Sequence, residues 1–171
     1  ILARVRQAPS VLDVIPLARL LAAEVSEAAD GRGGQPPSGD ELLEAADDTS
    51  DAPTAIAAIH ALARVPGAVI DDALAGLLAG GGWRAPHVAW SLADRAPAQQ
   101  LIDPLVALLE DGRLGGMLAQ QTLARWAAIA PRAIWTALER HLGRAGAAGA
   151  REGQLADLAR HNCLVTSTED G

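Results

Sequence analysis

The apolar residues of this 171-residue chain fall into blocks that share one punctuation. Four segments open on a proline and continue with leucines at helical spacing: APSVLDVIPLARLL (8–21), VPGAVIDDALAGLL (65–78), APAQQLIDPLVALL (96–109) and APRAIWTALERHL (130–142). Leu17, Leu74, Leu105 and Leu138 stand at comparable distances after Pro9, Pro66, Pro97 and Pro131. Further apolar residues follow three and four positions on at Leu20 and Leu21, Leu77 and Leu78, and Leu108 and Leu109; His141 and Leu142 take those places in the last segment. This i, i+3, i+4 spacing predicts a helix with one buried stripe. Proline suits the opening turn, where its fixed φ and missing N–H cost nothing. In the third segment Asp103 and Pro104 leave a later start open.

A second helical pattern precedes three of these prolines: TAIAAIHALARV (54–65), WRAPHVAWSLADRA (83–96) and MLAQQTLARWAAIA (117–130). Leu62, Leu92 and Leu123 hold equivalent places, 30 and 31 residues apart. Glycine-rich or charged turns, AGGG (79–82) and EDGRLGG (110–116), separate the pairs. The unit is therefore helix, proline turn, helix, glycine turn, with a period near 31 residues. One helix pair cannot bury its own apolar face, but stacked pairs can.

The pattern resembles the HEAT-repeat family, in its short PBS-lyase HEAT-like form, most closely over LIDPLVALLEDGRLGGMLAQQTLARWA (101–127). The resemblance covers roughly 53–145 and implies an all-α fold, an α-solenoid of about four to five stacked antiparallel helix pairs, some degenerate. The best repeats are 53–81, 82–113 and 114–145. Arg84 matches an arginine that the family often carries early in the first helix, whereas Thr54 and Gly115 depart from it. Residues 30–52 interrupt the period as a loop and acidic insert, in which DELLEAADD (40–48) predicts a short helix with Asp40 as its N-cap. REGQLADLARHNCLV (151–165) predicts the start of another repeat, and 166–171 a tail.

Composition narrows the function classes. Half the residues are apolar, with four Trp and no Phe or Tyr, so small aliphatics build the core. All fourteen basic residues are Arg, and the net charge of −7 argues against whole-surface attraction to nucleic acid or anionic membrane. No apolar run is long enough to span a bilayer, so membrane insertion is not expected. The single Cys163 excludes an internal disulfide and fits a cytoplasmic protein. Ile1 in place of a methionine, and a first repeat that looks truncated, lead us to expect flanking repeats or a flanking domain.

WRAPHVAW (83–90) is the densest chemical cluster. Trp83, His87 and Trp90 share one helical face, either as packing wedges between repeats or as an aromatic recognition patch. Helical projection about Leu105 puts Gln99, Gln100, Asp103 and Glu110 opposite the leucines. Asp72, Arg132, Thr136, Glu139 and Arg140 continue that surface, which the solenoid resemblance makes the concave face. Its mixed charge fits a protein or peptide partner. The four histidines have no ligand spacing, and no nucleophile elbow, phosphate-cradling loop or HExxH motif occurs, so neither catalytic residues nor metal nor cofactor is expected.

The expected function is a non-enzymatic scaffold or protein-interaction module. Two alternatives follow from the resemblance: a nucleic-acid-binding protein related to HEAT-like DNA glycosylases of alkylated bases, and an accessory protein assisting attachment of a cofactor or sugar. The tryptophans and an excess of arginine over 113–160 speak for the first alternative, the overall acidity against it.

Overall fold

The structure, a computed structural model, describes residues 37–111 and 114–145, with isolated positions 20 and 23. Among these residues the chain is all-helical, with seven α-helices and no strand. The helices are α1 (Gly39–Asp47), α2 (Ala52–Leu62), α3 (Ala68–Ala79), α4 (Arg84–Ser91), α5 (Gln99–Leu108), α6 (Leu114–Ala127) and α7 (Pro131–Ala145). A single 3-10 turn, Leu92–Asp94, extends α4. None of these helices is long and apolar enough to cross a membrane. The predicted segments at 8–21, 151–165 and 166–171 lie outside the described residues.

The chain divides into two compact units, 1–77 and 78–171. In the first, α1 packs on α2. The N-cap of α1 is Ser38, not the expected Asp40. Its hydroxyl accepts from Glu41 N at 3.2 Å, while Ser38 N donates to the Glu41 carboxylate at 2.8 Å. This reciprocal box satisfies two helix-end donors where an aspartate at 40 would satisfy one. Asp40 is left in the first turn, where its charge suits the helix dipole. The cap of α2 is Asp51, which accepts from Thr54 N at 3.2 Å and from the Thr54 hydroxyl at 2.6 Å. That second bond gives buried Thr54 a partner. From Thr54 to Ile59 every residue of α2 is buried, as a helix apolar on all sides requires. The glycine turn after α3 holds Gly81 and Gly82 at φ +65° and +66°, a left-handed helix ending that side chains disfavour.

In the second unit, α6 packs on α4 with its 3-10 turn, on α5 and on α7, and α5 also packs on α7. The repeat-defining leucines are at its centre: Leu92, Leu105 and Leu123 are fully buried and Leu138 nearly so. Leu62 and Leu74 are fully buried in the first unit. The proline rule holds in modified form. α7 begins at Pro131 itself, whereas α3 and α5 begin two residues after Pro66 and Pro97. Pro104 does not start a helix but lies inside α5. It cannot donate to the Gln100 carbonyl four residues back. Gln100 is exposed, so water can replace the lost bond.

α6 starts on two buried glycines, and neither has room for an ordinary side chain. A Cβ at Gly116 would overlap the Asp111 carbonyl oxygen. At Gly115 it would stand 2.8 Å from an Asp111 carboxylate oxygen and 3.3 Å from Leu108 Cδ1. Gly116→Ala is expected to destabilise the protein by about 1–3 kcal/mol, because its obstacle is backbone. At Gly115 the obstacles are side-chain ends that can rotate, and Ala returns about 1 kcal/mol of helix propensity. Gly115→Ala is therefore expected to be close to neutral, and urea unfolding of the two variants measures the difference.

Candidate functional site

Most of the residues that join the helices of the second unit stand 31 or 33 residues apart in sequence. Trp126 of α6 is fully buried, and its indole N–H donates to the Arg95 carbonyl at 2.7 Å. Thr122, one turn earlier on the same face, donates its hydroxyl to the Ala89 carbonyl at 2.7 Å. On the solvent side, Arg125 pairs with Asp94 at 3.0 Å. Two of these three pairs are separated by 31 residues and one by 33. Arg140 of α7 contacts both carboxylate oxygens of Asp103 on α5, at 2.9 and 2.7 Å, across 37 residues. His141 Nε2 lies 3.0 Å from a Glu110 oxygen, again 31 residues away.

All nine residues assigned to the polar ridge are exposed: Asp72, Gln99, Gln100, Asp103, Glu110, Arg132, Thr136, Glu139 and Arg140. The structure brings Asp103 and Arg140 together and joins Glu110 to His141, a residue the ridge did not include. Among the described residues no side-chain hydrogen bond joins Gln99, Gln100, Arg132, Thr136 or Glu139 to another member. Asp72, on α3, belongs to the first unit. Arg144 and Arg151, counted in the arginine-rich C-terminal segment, lie outside the described side chains.

The aromatic face divides in two. α4 starts at Arg84, so Trp83 sits at its N-cap without a capping side chain. Its ring meets His87 edge-on, with centroids 6.3 Å apart and planes at 71°, and the Arg84 guanidinium lies 5.9 Å from the same ring. Burial lowers the His87 pKa below its ordinary 6.5, because the charged imidazolium loses water. Trp90, a helical turn further on, turns to a different neighbour. It lines a groove of about 210 Å³ between the end of α4 and α6. Trp90, Ala93 and Asp94 form one wall, and Leu118, Gln121, Thr122 and Arg125 form the other. Trp83 and Trp90 are 41% and 37% exposed, so each is more than half covered. Trp126 is fully buried, while Trp135 on α7 is exposed.

The sequence reading selected Trp90 but missed Asp94, Gln121 and Arg125. The signal was the period itself: Trp90 and Gln121 are 31 residues apart, as are Asp94 and Arg125. Among the described residues no group of three or more His, Cys, Asp or Glu could hold a metal ion.

The second unit is thus an all-helical assembly with a polar groove between α4 and α6 and an exposed Asp103–Arg140 ion pair between α5 and α7. Searches of protein-family models, curated proteins and solved structures find no match to this chain.

Trp126→Phe keeps an aromatic ring but strands the Arg95 carbonyl and leaves a void. A loss of about 1–3 kcal/mol is expected, measured by chemical denaturation. His87 supplies a pH dependence of known sign. With its folded pKa below 6.5, the native state binds fewer protons than the unfolded chain just below that value. The His87 contribution is therefore intact above pH 6.5 and is lost as pH falls through it. Thermal melts at pH 7 and pH 5 are expected to show a smaller acid-induced drop in Tm for His87→Gln than for the wild type.

Proposed function

We propose that the chain is an α-solenoid of the HEAT-repeat type, made of stacked antiparallel helix pairs, and that it works as a non-enzymatic scaffold for a protein or peptide partner in the cytoplasm. One observation carries this reading: side chains one period apart bond directly across neighbouring helices, as Trp126 does to Arg95 and His141 does to Glu110. Stacked repeats require such contacts, because each unit completes its core only against the next. Repeats 82–113 and 114–145 supply all of these bonds, and 53–81 carries the same leucine pattern. In such a stack the second helices, α5 and α7, line the concave side and present the polar ridge.

The ridge suits reversible recognition. Asp103 and Arg140 are 49% and 39% exposed, so their pair contributes only about 0.2–1 kcal/mol to stability. A partner's charge can displace either member at small cost, and such surface charges act mainly on association rate and specificity. The HEAT-like glycosylase reading loses part of its basic surface here, since Arg140 is already neutralised by Asp103.

Affinity capture from the source organism's extract tests the proposal, comparing wild-type bait with Asp103→Arg. The variant breaks the ion pair and sets two guanidinium groups side by side. Its helicity should be unchanged by circular dichroism, and the proteins retained by the wild type should be lost. Retention of the same proteins would remove the α5–α7 ridge from the binding surface. A fluorescence titration with duplex DNA at low salt should show no binding, and salt-sensitive binding would favour the nucleic-acid alternative instead.

A further inference from the structure

We propose that the outward face of α7 pairs two copies of this chain, antiparallel about a two-fold axis that passes between Trp135 and Thr136. The inference rests on reading the ridge as a binding surface and names the partner of its α7 part. Arg132, Trp135, Thr136 and Glu139 stand at i, i+3, i+4 and i+7, so they share one face of the helix. All four are exposed, Trp135 by 41%. The opposite face, with Ile134, Ala137 and Leu138, is buried in the unit. Exposed Gly143 continues the outward stripe one turn beyond Glu139, and nothing lies within 4 Å of where its Cβ would stand. At the other end Ala128 and Ile129, the latter 69% exposed, lie just before the helix. Arg140 is tied to Asp103, but among the described residues Arg132 and Glu139 form no ion pair.

The order of these residues is self-complementary. In an antiparallel pair centred between Trp135 and Thr136, each Arg132 falls opposite the other copy's Glu139. The two indoles meet at the axis and cover each other's exposed rings. Gly143 falls opposite the other copy's Ala128, so small residues let the helices approach at both ends. This is the isologous form of a two-fold interface, in which residue i meets j and j meets i. A parallel pairing has no such match, since it sets Arg132 beside Arg132 and Glu139 beside Glu139. A foreign helix would have to bring an acid, an apolar centre and a base at the same spacing. A second copy of α7 brings all three. One helix from each copy makes a contact at the small end of specific interfaces, so the dimer is reversible, with a Kd on the order of 10–100 µM.

Sedimentation equilibrium of the full chain provides the test, over concentrations from about 1 µM to about 1 mM. The wild type should pass from monomer to dimer across that range. Trp135→Ala should weaken association about tenfold. Arg132→Glu and Glu139→Arg each set like charges face to face at both ends of the contact, and each should weaken it by at least about tenfold. Both changes suit the helix dipole, an acid near the start and a base nearer the end, so circular dichroism should show helicity retained. Mixed in equal amounts, the two charge variants should associate with each other as tightly as the wild type does with itself, because each brings the charge that the other has lost. The double variant Arg132→Glu with Glu139→Arg should dimerise like the wild type. A wild type that stays monomeric at the highest concentration overturns the dimer and leaves the rest of the ridge to the Asp103→Arg capture. A monomeric chain that loses captured proteins on Trp135→Ala gives this face to another protein and overturns it too. A dimer indifferent to all three single substitutions, or charge variants that stay apart when mixed, would place any association elsewhere.

Discussion

The bond from the Trp126 indole to the Arg95 carbonyl fixes the second unit. Arg95 leaves the 3-10 turn in an extended conformation, with φ −90° and ψ 147°. Its carbonyl therefore points out of the helical ladder and needs a partner from elsewhere. Trp126 brings the donor from α6 and is fully buried in doing so. Once this residue is seated, the rotation of α6 about its axis is set. Thr122 falls under the Ala89 carbonyl, and Arg125 comes beside Asp94 on the solvent side. One buried neutral bond thus positions a second buried bond and an exposed ion pair. It also defines both walls of the groove.

This arrangement needs small residues around it. The alanines of α4 and α6, with Gly115 and Gly116 where α6 meets Asp111 and Leu108, allow close approach of the helices. Close-packed interiors tolerate little void, so one large ring placed where small side chains leave a gap stabilises strongly. In a chain without Phe or Tyr that ring is Trp126. The remaining aromatics are then not required for the core of this unit. Trp83, Trp90 and Trp135 are each more than a third exposed.

The sequence made the helices and their buried stripe legible because both depend on local spacing. Leu62, Leu92 and Leu123 mark one helix of each pair, and Leu74, Leu105 and Leu138 mark the other; all six are buried. Exposure of the ridge followed from the same helical projection. What local spacing could not reveal was which residues meet across neighbouring helices. Asp94, Gln121 and Arg125 read as ordinary surface residues until the packing of α6 on α4 brings them around Trp90. The aromatic face of WRAPHVAW divided between two neighbours. Trp83, in αR conformation at the N-cap, still meets His87 one turn on, whereas Trp90 faces α6. At Pro104 and Ser38 the sequence signals competed. Packing of Leu101, Ile102 and Leu105 outweighs the lost proline bond, and a two-way capping box outweighs a lone aspartate.

The contacts across neighbouring helices divide into two kinds, and the division bears on function. The bonds of Trp126 and Thr122 are uncharged and at least partly buried, so breaking either is costly. The pairs Arg125–Asp94 and Arg140–Asp103 face water, where screening and side-chain entropy make each worth little. Stability therefore rests on the first kind, and the second kind can change partner without loosening the helices. A surface built of weak, mutually neutralising pairs on a frame held by buried neutral bonds can exchange contacts with a ligand while its geometry stays fixed. On that argument the buried neutral bonds, more than the charged residues of this unit, hold the helices together.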